Sequence, residues 1–308
     1  MSVFYNISEL SQVTNSIVTI GTFDGVHLGH QKIIKRLVEL KQKQGGEIVL
    51  FTFDPHPRKI LFPEQKDLKL ITTTEEKCDI LKQFGVDHVL VYPFTTEFSK
   101  MQAQDYISNI IAKGLKTKTL VIGYDHRFGS NREGSIDTLK QFAPIYHFDL
   151  EEIPAQEINQ LNVSSTRIRK AIEDGDIQTA NDFLGYTFFI TGEVIKGKQL
   201  GRTIGYPTAN IFIDNADKLI PKIGVYAVNV VLKGVTYKGM LNVGTNPTTD
   251  FDNKIKIEVN IFDFDADIYG DTLKVEFVKW IRNEEKFANL DELKQALAND
   301  KLACTHAL

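Results

Sequence analysis

Along the first half of the chain, short apolar runs alternate with longer stretches whose apolar positions recur every three to four residues. Residues 16–20, 47–53, 88–92 and 119–122 are built from Ile, Val, Leu, Phe and Thr with few polar interruptions. Runs of about 4–7 residues that are apolar on both alternations predict parallel strands covered on both faces. Between the first two, Ile33, Ile34, Leu37, Val38 and Leu40 follow the helical period, and Gly45-Gly46 supplies a stop. Thr73 followed three residues later by Glu76 is a capping-box pattern, predicting a helix to about residue 84 closed by Gly85. This βαβα order predicts a doubly wound parallel sheet with right-handed crossovers and ligand sites at the carboxyl ends of its strands.

Past Gly185 the rhythm changes. Residues 188–195, 208–213, 225–232, 237–243, 255–262 and 272–278 are successive strand candidates, with Gly197, Gly201, Gly224, Gly234 and Gly270 in the turns. Six short strands without intervening helices predict a small closed barrel, because closure removes exposed edges. Residues 289–297 then predict a terminal helix with Asn289 as its N-cap. The expected fold class is therefore α/β plus all-β. The boundary falls near residues 183–187, giving domains 1–183 and 184–308.

Composition narrows the partners. In 308 residues, 36 basic and 40 acidic side chains leave a formal charge of −4, which lacks the footprint of a protein that binds long nucleic acids. A hydrophobic share of 42% with 10% aromatics is ample for packed cores. Two cysteines far apart, Cys78 and Cys304, supply neither a disulfide framework nor a zinc cluster, which suits a reducing cytosol. The first residues have no basic segment followed by an apolar run, and no stretch approaches the ~18 apolar residues of a membrane span. The expectation is a cytoplasmic two-domain protein without nucleic-acid or membrane partners; self-association is left open.

The chemistry concentrates in a few segments. Gly21-Thr22-Phe23-Asp24-Gly25-Val26-His27-Leu28-Gly29-His30 leaves a strand, turns through glycines and enters a helix. Histidines three apart at a helix start share a face near unpaired backbone N–H groups, an arrangement suited to phosphates. Ser164-Ser165-Thr166 places hydroxyls at another helix start, with Arg169 three residues after Thr166 and four after Ser165. That spacing suits an anionic phosphate group at the helix start. Asp54-Pro55-His56-Pro57 stiffens a loop at a strand end, and the loop from Gly123 to Gly129 offers Asp125 and Arg127 as polar handles.

Together these segments resemble the HxGH nucleotidylyltransferase superfamily, specifically the N-terminal module of bacterial bifunctional riboflavin kinase/FAD synthetases. Gly201-Arg202-Thr203-Ile204-Gly205-Tyr206-Pro207-Thr208-Ala209-Asn210 resembles the riboflavin kinase signature, so the likeness spans both halves. It implies catalytic roles for His27 and His30, ATP contacts from Gly21, Phe23, Asp24, Gly25, Gly29, Ser165, Thr166 and Arg169, and flavin contacts from Pro55, His56, Pro57, Asp125 and Arg127. In the second half it implies ATP binding at Gly201, Gly205, Thr208 and Asn210. The Thr208 hydroxyl and Asn210 amide oxygen are hard ligands that suit a nucleotide-bound Mg²⁺.

Glu258 stands in the alternating strand Ile255-Lys256-Ile257-Glu258-Val259-Asn260-Ile261, where spacing alone reads as a solvent-facing carboxylate. The resemblance instead implies the base that receives the ribityl hydroxyl proton. Relatives often carry His where this chain has Asn260, and an aromatic where it has His126. Residues 239–248 also match a family block and read as barrel turns near the ligand mouth; Trp280 and Phe287 are candidates to flank a flavin ring. The implied function is phosphorylation of riboflavin to FMN by ATP and adenylylation of FMN to FAD, with Mg²⁺ in both sites. The alternatives are an active kinase half alone, or a flavin-binding regulator without turnover.

Overall fold

A computed structural model describes residues 1–64, 67–154, 162–197, 200–245 and 255–308. The chain forms two compact units, Met1–Ser165 and Thr166–Leu308.

The first unit is a parallel sheet of six strands, β1 (Ser2–Phe4), β2 (Ser16–Ile20), β3 (Glu47–Asp54), β4 (His88–Pro93), β5 (Thr117–Gly123) and β6 (Asp149–Ile153), in the order β1-β4-β3-β2-β5-β6. The anticipated strands are β2, β3, β4 and β5. Their apolar runs are buried on both faces: Ile17, Val18, Ile48, Val49, Leu50, Phe51, Val89, Leu90 and Leu120 are all fully inaccessible. Each such side chain stabilises the fold by about 1.5–3 kcal/mol before entropy is counted. The edge strands β1 and β6 were not anticipated. An edge strand has one pairing partner, and β6 carries three acids in five residues, so neither leaves an apolar run to read. Helix α1 (Leu28–Gln44) buries Ile34, Leu37 and Leu40 along one stripe, and α2 (Thr74–Gln83) starts with the expected Thr73/Glu76 capping box. Two further helical stretches, Tyr106–Gly114 with π-type winding and α3 (Ile136–Tyr146), complete the cover of the sheet.

The second unit takes in α4 (Ser165–Asp174) from Thr166 onward, then α5 (Ile177–Leu184), and continues into a closed barrel. The strands are β7 (Phe189–Ile195), β8 (Ala209–Phe212), β9 (Gly224–Leu232), β10 (Val235–Thr245), β11 (Ile255–Ile261) and β12 (Thr272–Arg282), closing in the order β10-β11-β8-β7-β12-β9. Helix α5 is fastened to this barrel by Asn181. Its amide donates to Phe277 O at 3.0 Å and its carbonyl accepts from Phe188 N at 2.7 Å. The terminal helix α6 (Leu290–Ala307) is longer than its apolar pattern suggested. It places fully buried Cys304 against Ala227, Met240 and Phe262, and the bidentate pair of Arg282 with buried Asp300 (2.8 and 2.7 Å) ties it to the end of β12. Asn289 caps it as expected, its side chain accepting from Glu292 N at 2.9 Å.

Two stability outcomes are expected. Asn289→Ala removes a cap worth about 1 kcal/mol, measured as faster hydrogen exchange in the first turn of α6. Asn181→Leu leaves two backbone groups without their partner and lowers barrel stability by about 1–3 kcal/mol, measured by the urea midpoint of the barrel's signals.

Candidate functional site

Strand order reverses at β2: β3 and β4 lie to one side, β5 and β6 to the other. In an open α/β sheet such a switch point opens a crevice at the strands' carboxyl ends. The loop after β2 and the start of α1 carry residues 21–30, and the loop after β5 carries residues 124–129. Asp24 shapes the first of these. Its carboxylate accepts from Ile71 N at 2.9 Å and Thr72 N at 3.2 Å, and Gly25 N donates to Thr72 Oγ1 at 3.2 Å. Gly25 has φ +79°, and a Cβ there would stand 3.0 Å from Ile71, so the turn requires glycine. Ser165 Oγ donates to Asp24 O at 3.0 Å, bringing the middle residue of the Ser164-Ser165-Thr166 segment to the same turn.

His27 is the N-cap of α1 and is 7% exposed. Its ring stacks on that of His30 with centroids 3.7 Å apart, and Phe23 closes against His30 at 4.8 Å. Burial, then His27 and Lys77, pushes His30 well below the ordinary histidine range. A neutral His30 keeps one N–H donor, and its Nδ1 has no hydrogen-bond partner among the described residues. Gly29 is buried in the first turn of α1, which carries no side-chain cap. Two imidazoles at an uncapped helix start can donate to phosphate oxygens, His30 from its neutral form.

The remaining first-half candidates occupy more exposed positions. His56 caps the short helix Pro57–Leu61, Nδ1 accepting from Arg58 N at 3.2 Å, and Pro55 is exposed beside it. Asp125 and Arg127 are exposed after β5. His126, on the same loop, stacks on Phe128 at 5.8 Å and is pushed down to about 4, chiefly by burial. Thr166 and Arg169 lie on α4 and belong to the second unit, Thr166 exposed and Arg169 buried. Sequence reasoning missed two features of the first unit. One is an aromatic series, Phe53, Phe94, Phe98, Tyr106 and Phe128, with successive centroids 5.3–5.9 Å apart. The other is Lys77, 6% exposed, with Nζ 3.2 Å from Thr22 O. The aromatics are scattered singly through the sequence, and Lys77 reads as one more polar helix residue. Neither leaves a local signal.

In the barrel, register does the assembling. Glu258 on β11 is paired with Asn242 on β10 and with Asn210 on β8, so the three side chains share one face. Glu258, Asn242, Thr208, Lys256 and Asn260 line a cavity of about 470 Å³, within the range of small-molecule sites. Lys256 Nζ pairs with Glu258 Oε1 at 2.5 Å, and Asn260 donates to Pro207 O at 2.7 Å. Glu258 therefore faces a cavity, where alternation alone had suggested open solvent. Thr208 lies just ahead of β8, and buried Asn210 lies within it. Gly201 lines the same cavity so close to Tyr206 that a Cβ would overlap the Tyr206 carbonyl oxygen, while Gly205 is exposed.

The block expected as turns, 239–248, is strand through Thr245, which is how Asn242 reaches Glu258; Asn246, Pro247 and Thr248 lie outside the described residues. Phe287 lines the cavity, whereas Trp280 packs against Lys222. No cluster of three metal-ligating His, Cys, Asp or Glu side chains occurs among the described residues.

A family model for FAD synthetase matches residues 10–167, and one for riboflavin kinase matches residues 184–308. The bifunctional riboflavin kinase/FMN adenylyltransferase of Listeria monocytogenes is 38% identical over 93% of this chain and 90% of its own length. The Escherichia coli K12 protein of the same name is 38% identical over 98% and 96%, and that of Bacillus subtilis 35% over 93% and 90%. A crystal structure described as a macrolide-efflux protein from Streptococcus pneumoniae superimposes with a TM-score of 0.87 at 33% identity, covering 99% of this chain and 98% of that one. No helix of the described residues is long and apolar enough to cross a membrane. With both family models in order along one chain, and near full-length identity to such proteins, this chain belongs to the bifunctional riboflavin kinase/FMN adenylyltransferase family.

Proposed function

We infer that the chain carries out two ATP-dependent transfers in flavin cofactor synthesis: phosphorylation of riboflavin to FMN, and adenylylation of FMN to FAD with release of pyrophosphate. The observation that carries the kinase assignment is the row Asn242, Glu258 and Asn210 across three strands beside Thr208. We assign this step to residues 184–308. Glu258 accepts the proton of the ribityl 5′-hydroxyl as its oxygen attacks the γ-phosphorus, and ADP leaves. Lys256 orients that carboxylate through their ion pair. Thr208 and Asn210 offer neutral hard oxygens next to a carboxylate, a donor set that fits Mg²⁺ carried by a nucleotide. They would hold the ion, which supplies charge neutralisation on the phosphates. Gly201 and Gly205 frame the nucleotide.

We assign adenylyl transfer to residues 1–183. An FMN phosphate oxygen attacks the α-phosphorus of a second ATP and pyrophosphate departs, while His27 and His30 donate to the phosphate oxygens as charge shifts. Gly21, Phe23, Asp24, Gly25 and Gly29 shape the ATP turn, with Ser165, Thr166 and Arg169 serving the β- and γ-phosphates. Pro55, His56, Pro57, Asp125 and Arg127 border the flavin, and the aromatic series offers it a wall. Small molecules are the expected partners, in a cytoplasmic setting without nucleic acid, and Mg²⁺ is expected in this site as well.

Chromatography of products formed from riboflavin, ATP and Mg²⁺ tests both halves. The His27→Ala/His30→Ala double variant is expected to lose FAD formation by at least about 100-fold while forming FMN normally. Glu258→Ala is expected to lose FMN formation by about 100-fold or more and still adenylylate supplied FMN. Loss of both activities from either change in a folded protein sinks the site assignment. Thr208→Val is expected to raise the Mg²⁺ concentration needed for half-maximal phosphorylation and leave that for adenylylation unchanged.

A further inference from the structure

Lys77 is a buried cation at the fourth position of α2 that the roles above leave unexplained. Its Nζ donates to Thr52 Oγ1 at 2.9 Å and to Thr22 O at 3.2 Å. Thr52 Oγ1 also donates to Thr22 O, at 3.1 Å, so one carbonyl of the 21–25 turn is held twice. An ammonium has three N–H donors, and the third has no acceptor among the described residues. Burial pushes Lys77 down; Asp24 opposes this most strongly, with smaller help from Cys78, Asp54 and Glu75. Keeping a charge there is unfavourable, and a methionine would fill the space without that penalty. The cost becomes intelligible if the charge serves an anion on the other side of the turn.

Peptide geometry supplies the direction. In a planar trans peptide the N–H of Phe23 points opposite to the C=O of Thr22. Drawing that carbonyl toward Lys77 therefore turns the Phe23 amide away from it, and this amide has no acceptor among the described residues. We propose that Lys77 is a positioning residue for adenylyl transfer: it fixes the Thr22 carbonyl from behind the turn, so that the Phe23 amide is presented to the nucleotide's phosphates with a fixed positive charge behind it. This rests on the assignment of adenylyl transfer to the His27–His30 site.

The same charge acts on His30. Among the described residues, the charged or titratable groups that act on this ring are His27, the N-cap of its helix, and Lys77 on α2, both of which lower it. Removing Lys77's charge raises His30 toward its ordinary value, so the neutral ring is reached only at higher pH. The acidic limb of the adenylylation profile then moves upward in pH.

The test uses the full chain, measuring riboflavin phosphorylation and FMN adenylylation as functions of pH, together with His30 titration by NMR. Lys77→Met is expected to lower the adenylylation kcat at least about tenfold, to leave phosphorylation within about twofold, and to shift both the acidic limb and the His30 titration upward. Lys77→Arg keeps the charge and is expected to restore both titrations to their original position. Thr52→Val, nearly isosteric, keeps the charge but loses the hydroxyl brace; it is expected to lower kcat without moving either titration. If Lys77→Met misfolds, seen as lost hydrogen-exchange protection of the first unit's strands, the Arg and Val variants decide: a wild-type kcat in Thr52→Val overturns the proposal, as does a shifted His30 titration in Lys77→Arg. Wild-type kcat and pH profile in folded Lys77→Met overturn it directly. Persistence of FAD formation in the His27→Ala/His30→Ala variant overturns the underlying assignment instead.

Discussion

The first unit's site depends on one buried carboxylate. Asp24 holds the backbone of Ile71 and Thr72, and its own carbonyl receives the Ser165 hydroxyl. A buried carboxylate accepting backbone N–H groups is among the stronger interactions available inside a protein. It fixes a turn in which Gly25 has φ +79° and Phe23 has φ +49°, the latter a conformation that a non-glycine residue in a free loop would seldom hold. Once that turn is fixed, the entry angle of α1 follows, and with it the stacked placement of His27 and His30. The residue that reads as a nucleotide contact in the sequence thus acts first as the clasp of the loop.

The barrel solves a related problem by register. A one-residue slip of β11 would turn Glu258 to the opposite face and bring Ile257 or Val259 into the cavity. Ile257, Val259 and Ile261 are buried on the opposite face and hold the register, so the apolar alternation that looks merely structural is what aims the carboxylate. Asn242 and Asn210 then arrive beside Glu258 through backbone pairing alone.

Net charge was a coarse guide to these sites. A formal −4 lacks the footprint expected for a long polyanion, yet in the proposed roles each site handles small phosphates by local means. One uses an uncapped helix start with a cation behind a turn; the other uses neutral oxygens and an ion-paired carboxylate. Both work within a few ångströms, below the scale on which overall charge acts.

By itself the sequence pointed to the two architectures, since short continuous apolar runs alternating with amphipathic helices fit a covered parallel sheet, and six successive short strands without intervening helices fit a closed barrel. It also located the H-x-G-H turn, the Thr73 capping box, the Asn289 cap and the Thr208–Asn210 pair, because each is written within ten contiguous residues. Only tertiary structure decided what meets across the chain. Lys77 reaches Thr22 across 55 positions, Asn242 reaches Glu258 through strand pairing, and the aromatic series gathers from four separate segments. Edge strands and the pieces fastened onto the barrel were equally illegible, having no strong period of their own. Local pattern records what a segment must bury; which distant side chains become neighbours is set by topology and register, which no single segment contains.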